Sequence, residues 1–256
     1  MRRTYPAMED DPMRRTVSAL LALGLAACGT SAPSTAGEGW VSLFNGKDLA
    51  GWKIPEGDNG HWKVLDGVID YDARSEAPKN KDLWTEKEFG DFVLTLDWRI
   101  KETHGAYPMP DVLPDGTHRM GPDGKAILMP RPNADSGVYL RGSTKAQVNI
   151  WCWPVGSGEV YGYRMDKDAS PEVRAGVTPK MRADNPVAEW NTFVITLKGD
   201  RLTVVLNGKT VIDRAQLPGV PARGRIGFQH HGNWKNGEYD SAAALVQFRN
   251  IRIKEL

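Results

Sequence analysis

Cysteine is nearly missing from this chain: among 256 residues only Cys28 and Cys152 carry a thiol. A disulfide framework is therefore excluded, and core packing must hold the fold. Charge of one sign is missing too. With 33 Lys and Arg against 32 Asp and Glu the formal charge is +1, and no basic run occurs beyond the first residues, which argues against nucleic acid as a partner. No long window repeats apolar residues with a period of 3.6, so a helical fold is not indicated. Neither a G-x-S-x-G elbow, a zinc motif nor a phosphate loop occurs, which removes the commonest hydrolase and nucleotide-binding readings.

What is present near the N-terminus is Met13-Arg14-Arg15 followed by an apolar run, Val17 to Ala27, too short to span a bilayer as a helix. This reads as a signal peptide over residues 1–28, with Met13 as the expected start because acidic residues precede it. Leu25-Ala26-Ala27-Cys28 resembles the lipobox of bacterial lipoproteins. That resemblance implies cleavage before Cys28, lipidation of its thiol, and an exported cell-envelope lipoprotein whose only membrane contact is the lipid. Residues 29–39, rich in Ser, Thr, Ala, Pro and Gly, read as a flexible tether. Residues 40–256 are enough for one domain with a single large core.

Nine Trp and 27 Gly, with Asn-Gly and Gly-Asp turns throughout, point to an all-β chain. Phe92 to Ile100 alternates strictly, placing Phe92, Leu94, Leu96, Trp98 and Ile100 on one face. Three strands in sequence, Phe193 to Leu197, Leu202 to Leu206 and Thr210 to Ile212, form a meander through tight turns at Gly199-Asp200 and Asn207-Gly208. The apolar phase then slips between Phe248 and Ile251, which implies a bulge near Arg249-Asn250. Further strands are expected at Trp62 to Tyr71, Gly137 to Arg141, Val148 to Trp153, Val160 to Arg164 and Arg225 to Gln229. So many short strands favour two packed antiparallel sheets. His104 to Pro132 and Asp166 to Pro186 read as long loops, the first placed either as a flap over a site or as a surface insertion with no part in it.

One strand has an unusual polar side. In Lys145 to Trp153, "KAQVNIWCW", Val148, Ile150 and Cys152 share one face while Gln147, Asn149, Trp151 and Trp153 share the other. If it neighbours Asp135 to Gly142, then Tyr139 and Arg141 join the same surface. Amides read hydroxyls and aromatic faces cover apolar C–H patches, so a carbohydrate ligand is expected there. The alternative is that the indoles pack under loops and the amides satisfy loop backbone. In Gln229-His230-His231 the two histidines point to opposite sides, so one of them is expected to face the site and move a proton, the alternative being a loop histidine bonded to backbone. Asp135 and Glu159 are the nearest carboxylates. Asp115-Gly116 and Asp123-Gly124 are candidate calcium ligands, although turn chemistry explains them equally.

Five segments in order, "VSLFNGKDLAGW" (Val41 to Trp52), "DSGVYLRG" (Asp135 to Gly142), "EWNTFVITLKGDRLTVVLNG" (Glu189 to Gly208), "GFQHHG" (Gly227 to Gly232) and "FRNIRIKEL" (Phe248 to Leu256), resemble the 3-keto-disaccharide hydrolase domain family. The resemblance implies a concanavalin-like jelly-roll sandwich. It also implies cleavage of glycosides already oxidised at C3, by removal of the acidified C2 proton, departure of the C1 group and addition of water, with no cofactor required. On that basis Asp135, Glu159 and His231 are the candidate proton carriers, Arg141 an oxyanion or hydroxyl partner, and Tyr139, Gln147, Asn149, Trp151, Gln229 and His230 the groups that hold the sugar. This chain departs from the family at Gln147 and Asn149, where Glu-x-Gln is common, and at Asp135, where Asn is common; an amide cannot act as a base, so either the carboxylate has moved to Asp135 or this branch binds sugars without cleaving them. A carbohydrate-binding lipoprotein without catalysis is the alternative reading.

Overall fold

The structure, a computed structural model, describes residues 38–256. The expected signal peptide, Cys28 and nearly all of the 29–39 tether lie outside the described residues. The first strands are β1 (Val41–Ser42), β2 (Trp52–Lys53), β3 (Lys63–Leu65), β4 (Val68–Asp70), β5 (Leu83–Phe89) and β6 (Phe92–Ile100). Next come β7 (Ala106–Pro110), β8 (Leu128–Pro132), β9 (Asp135–Leu140) and β10 (Ser143–Trp151), then two short helices, α1 (Tyr161–Arg164) and α2 (Pro171–Gly176). The chain closes with β11 (Asn191–Lys198), β12 (Arg201–Leu206), β13 (Lys209–Gln216), β14 (Gly224–Phe228), β15 (Trp234–Lys235), β16 (Glu238–Tyr239) and β17 (Val246–Glu255).

Two antiparallel sheets pack face to face, as the alternating sequence requires. The larger has the order β13-β12-β11-β6-β17-β4-β3, with β1 also paired to β17, and the smaller the order β10-β9-β14-β5-β2. Phe92, Leu94, Leu96 and Trp98 of β6 and Phe193, Ile195 and Leu197 of β11 are buried against Val138, Leu140, Val148 and Ile150 of the smaller sheet. Phe228 of one sheet stacks on Phe248 of the other with ring centroids 3.9 Å apart, fixing the two layers in contact. The meander forms as expected, with Asn207 at φ 50 and Gly208 at φ 77 making the tight turn. So does the bulge: the β17–β6 register shifts between Arg249 and Arg252, and Asn250 has φ 53.

Four expectations fail locally. Trp62 to Tyr71 is a hairpin rather than one strand, because Asp66 (φ 49) and Gly67 (φ 78) turn the chain between β3 and β4. Val160 to Arg164 is not a strand; its helical turn brings the Arg164 guanidinium back onto the Glu159 carboxylate, a contact that extended chain could not make. The Asp166 to Pro186 loop contains α2, started by Ser170, whose hydroxyl accepts from Val173 N, and by Pro171. Finally, His104 to Pro132 is a two-stranded ribbon, β7 with β8, rather than an irregular loop. Its internal turns are closed by Asp115, which accepts from Thr117 N at 2.9 Å, and Asp123, which accepts from Lys125 N at 3.1 Å. Those carboxylates are engaged in turn chemistry, and among the described residues no group of three or more His, Cys, Asp or Glu is arranged to hold a metal ion.

Candidate functional site

The smaller sheet has one face in the core and one facing away from it, and the outward face carries the polar residues singled out above. β9 and β10 are antiparallel neighbours, with Tyr139 opposite Gln147, Gly137 opposite Asn149 and Asp135 opposite Trp151. Residues opposite one another share a face, so the two segments do converge. Two glycines shape this surface. A Cβ at Gly137 would lie 2.7 Å from Gln147 Cγ, and one at Gly227 would lie 2.6 Å from the Trp84 indole. Their absence lets side chains from flanking strands lie flat across the sheet. Gln147 accordingly reaches over β9 to donate to Gln229 Oε1, and Trp84 stacks on Tyr139 with centroids 5.2 Å apart. Burial, with the carboxyls of Asp82 and Asp135 nearby, pushes the Tyr139 phenol well above its usual range and keeps it a hydrogen-bond donor.

At the start of β9 this surface opens into a cleft of about 380 Å³. Asp135 and His231 stand at its floor, with Trp153, Tyr107, Met109 and Tyr239 as walls. Among the described residues Asp135 Oδ1 is buried without a hydrogen-bond partner, and Oδ2 faces His231 Nε2 at 3.8 Å. Burial raises the Asp135 carboxyl to about 6, against an opposing pull from His231. The histidine is oriented from behind. Its Nδ1 lies 2.5 Å from Ala242 O, and since a carbonyl only accepts, Nδ1 carries the proton and Nε2 is left to face the cleft. The arrangement is a carboxylate poised near neutrality beside an imidazole with one working nitrogen. It can take a proton on one group and give one from the other. Tyr107 and Met109 belong to β7, so the ribbon that reads as a flap does flank the site.

Other expected site residues are used differently. Arg141, just beyond β9, is buried, and all five of its N–H groups are taken, by the carbonyls of Gly90, Gly199, Pro221 and Leu197 and by Asp91 Oδ1 at 2.6 Å. No donor remains for an oxyanion, so Arg141 is a structural clamp rather than a substrate partner. Glu159 is fully buried and paired with Arg164, which removes it from the cleft. Asn149 Nδ2 donates to Glu159 O at 3.0 Å and Trp151 Nε1 to Gly156 O at 2.8 Å, so both hold the segment that covers the β10 edge. The Asn149 amide and the Trp151 indole thus satisfy loop backbone, the alternative left open by the sequence, whereas the Gln147 amide bonds the Gln229 side chain.

The two histidines diverge as extended backbone requires. His230 turns away from His231 and its Nδ1 accepts from the Tyr71 hydroxyl at 2.5 Å, while its backbone N–H donates to Asp82 Oδ1 at 2.8 Å. Burial lowers the His230 ring to about 4, so it is neutral and well suited to accept. Trp153, by contrast, is on the cleft wall, with Trp151 stacked behind it at 4.2 Å. Tyr239 and Ala242 went unmarked in the sequence because they follow a turn of no clear periodicity. Asp82 was also missed; burial raises its carboxyl to about 6, and only the alternation of β5, which puts it level with Trp84, could have marked it.

The fold is thus an all-β sandwich in which a carboxyl and an imidazole share a cleft lined by aromatic rings, the mixture of polar and apolar groups found in ligand pockets. The family model for the 3-keto-alpha-glucoside-1,2-lyase-like domain matches residues 39–254, and the chain belongs to that family. Among solved structures, a candidate glycosyl hydrolase of Parabacteroides distasonis shares 22% identity over 86% of this chain and 84% of its own, with a TM-score of 0.55. A second from the same organism shares 21% identity over 86% of this chain and 94% of its own, with a TM-score of 0.52. At that identity the likeness supports the fold. Among curated proteins none matches.

Proposed function

We propose that this protein is an exported, lipid-anchored enzyme that cleaves 3-keto-glycosides at the Asp135–His231 cleft. Family membership supports the substrate class, and the lipobox-like Leu25-Ala26-Ala27-Cys28 supports the anchor. The observation that carries the chemistry is the Asp135 carboxyl: half of it is buried without a partner, its affinity for a proton is raised to about 6, and the imidazole beside it is 3.8 Å away. A ketone at C3 acidifies the C2–H bond. Asp135 takes that proton, electron density moves onto the C3 oxygen and then into the C1–C2 bond as the C1–O bond breaks, and the imidazolium of His231 protonates the leaving oxygen through Nε2. Water then adds to C1, giving its proton to His231, while Asp135 returns a proton to C2. The route avoids an oxocarbenium ion, which an adjacent ketone would destabilise.

The test is cleavage of a 3-keto-α-glucoside in D₂O. Released 3-keto-glucose carrying deuterium at C2, absent with Asp135→Asn, is the expected result. Cleavage without exchange at C2 would overturn this route, and no cleavage at all would leave the carbohydrate-binding alternative. That second reading is favoured by one observation: Gln147, where a carboxylate is common, spends its amide on Gln229.

A further inference from the structure

The outward face of the smaller sheet does not end at the Asp135 cleft. At the other end of β9, next to Arg141, a second groove of about 420 Å³ is lined by Lys53, Asp82, Trp84, Glu88, Arg223 and Arg225. Register relates the two. Trp84 is paired through Gly227 to Tyr139, which lies four positions (~13 Å) along β9 from Asp135 and two strands (~10 Å) from β5, so the grooves are roughly 16 Å apart. That is too far for one pyranose ring and suits an oligosaccharide lying diagonally across the strands.

The groove has the chemistry for a sugar ring. The Trp84 indole is held in place by stacking on Tyr139, by lying over the missing Cβ of Gly227, and by its Nε1 donating to Asn80 Oδ1 at 3.4 Å. A flat indole at the floor of a groove is a stacking platform for C–H faces. The groove also holds cationic donors and carboxylate acceptors, and the Nε of Arg225 is buried with no hydrogen-bond partner among the described residues. A buried donor left unmatched is costly unless something fills it. The mixture of signs suits hydroxyls, which donate and accept; a sugar acid would meet Glu88 as readily as Arg225.

We propose that this groove is a second sugar subsite, taking an uncharged pyranose of the same oligosaccharide whose oxidised end occupies the Asp135–His231 cleft. It rests on the carbohydrate reading above and adds to it that the preferred substrate is longer than a disaccharide. Calorimetric titration of the Asp135→Asn chain with 3-keto-maltose and 3-keto-maltotriose tests it, with turnover of both sugars by the unsubstituted chain measured alongside. The trisaccharide is expected to bind about tenfold more tightly. Adding Trp84→Ala or Arg225→Gln should abolish that gain, and Arg225→Gln should leave disaccharide affinity and turnover unchanged; the second substitution guards against loosening of Tyr139 by the first. Equal affinity for the two sugars, or a gain that survives both substitutions, overturns the subsite. If the gain behaves as expected but neither sugar is cleaved, the subsite stands and the catalytic reading falls. Failure of both sugars to bind overturns both.

Discussion

Strand β9 carries a charged residue at each end, and the two could hardly be treated more differently. Arg141 has an acceptor for every N–H it owns, whereas Asp135 has a buried oxygen with none. Both groups are costly to bury, but only the arginine is compensated. A fully satisfied charge is part of the scaffold: it ties the turn after β9 to four carbonyls on three neighbouring segments. The uncompensated charge is where the fold stores a raised proton affinity, and such groups in clefts mark chemistry. Residue type alone would have ranked the two the other way, since an arginine beside a sugar is a common sight.

The sharpest way to break this contrast is Asp135→Asn. Turnover of a 3-keto-glycoside should fall about 10³-fold, because an amide cannot take the C2 proton. Arg141→Met should instead cost about 3 kcal/mol of stability, seen as a lower denaturant midpoint, with the pH dependence of any remaining activity unchanged. Glu159→Gln should behave like Arg141→Met, as it strands the fully buried Arg164. Asp135→Asn should also raise stability by roughly 3 kcal/mol, but only in one pH range. The folded carboxyl titrates near 6 and the unfolded one near 3.8, so the penalty for ionising it is absent below the lower value, grows between the two and is complete above the higher. Denaturation at about pH 2.8 and at about pH 7.5 should therefore show no gain and full gain respectively. The same titration predicts that kcat/KM rises with pH through about 6, since Asp135 must be ionised to act. The smallest effect is at the aromatic wall: Trp153→Ala should raise KM about fivefold, near 1 kcal/mol, with little loss of stability. Trp151→Ala, which removes a buried ring bonded to Gly156 O, should destabilise the chain by about 3 kcal/mol.

Much of the architecture was readable because alternation is a local property. Phe92 to Ile100 shows its buried face in its own spelling, and Asn207-Gly208 shows its turn. Where long-range contacts override local preference, the reading failed: Val160 to Arg164 looks extended, yet the Glu159–Arg164 pair closes it into a helical turn. The site divides in the same way. That Gln147 and Tyr139 share a face followed from spacing, as did the divergence of His230 from His231. That Arg141 is saturated did not, because its acceptors come from Gly90, Leu197, Gly199 and Pro221, spread along the chain. Trp151 and Trp153 could not be ranked either, since the cover over one and the exposure of the other depend on how residues 153–160 fold back.

Pattern along the chain was thus sufficient for a two-sheet sandwich, for the family, and for a polar, aromatic surface on β9 and β10, because side-chain alternation and turn chemistry act between near neighbours. Which charges on that surface are spent and which are free was decided only when distant segments met. Hydrogen-bond satisfaction is a property of the assembled molecule, and here it spends Arg141 and Glu159 on the scaffold and leaves, of the residues expected in the site, the Asp135 carboxyl and the His231 nitrogen facing each other in the cleft.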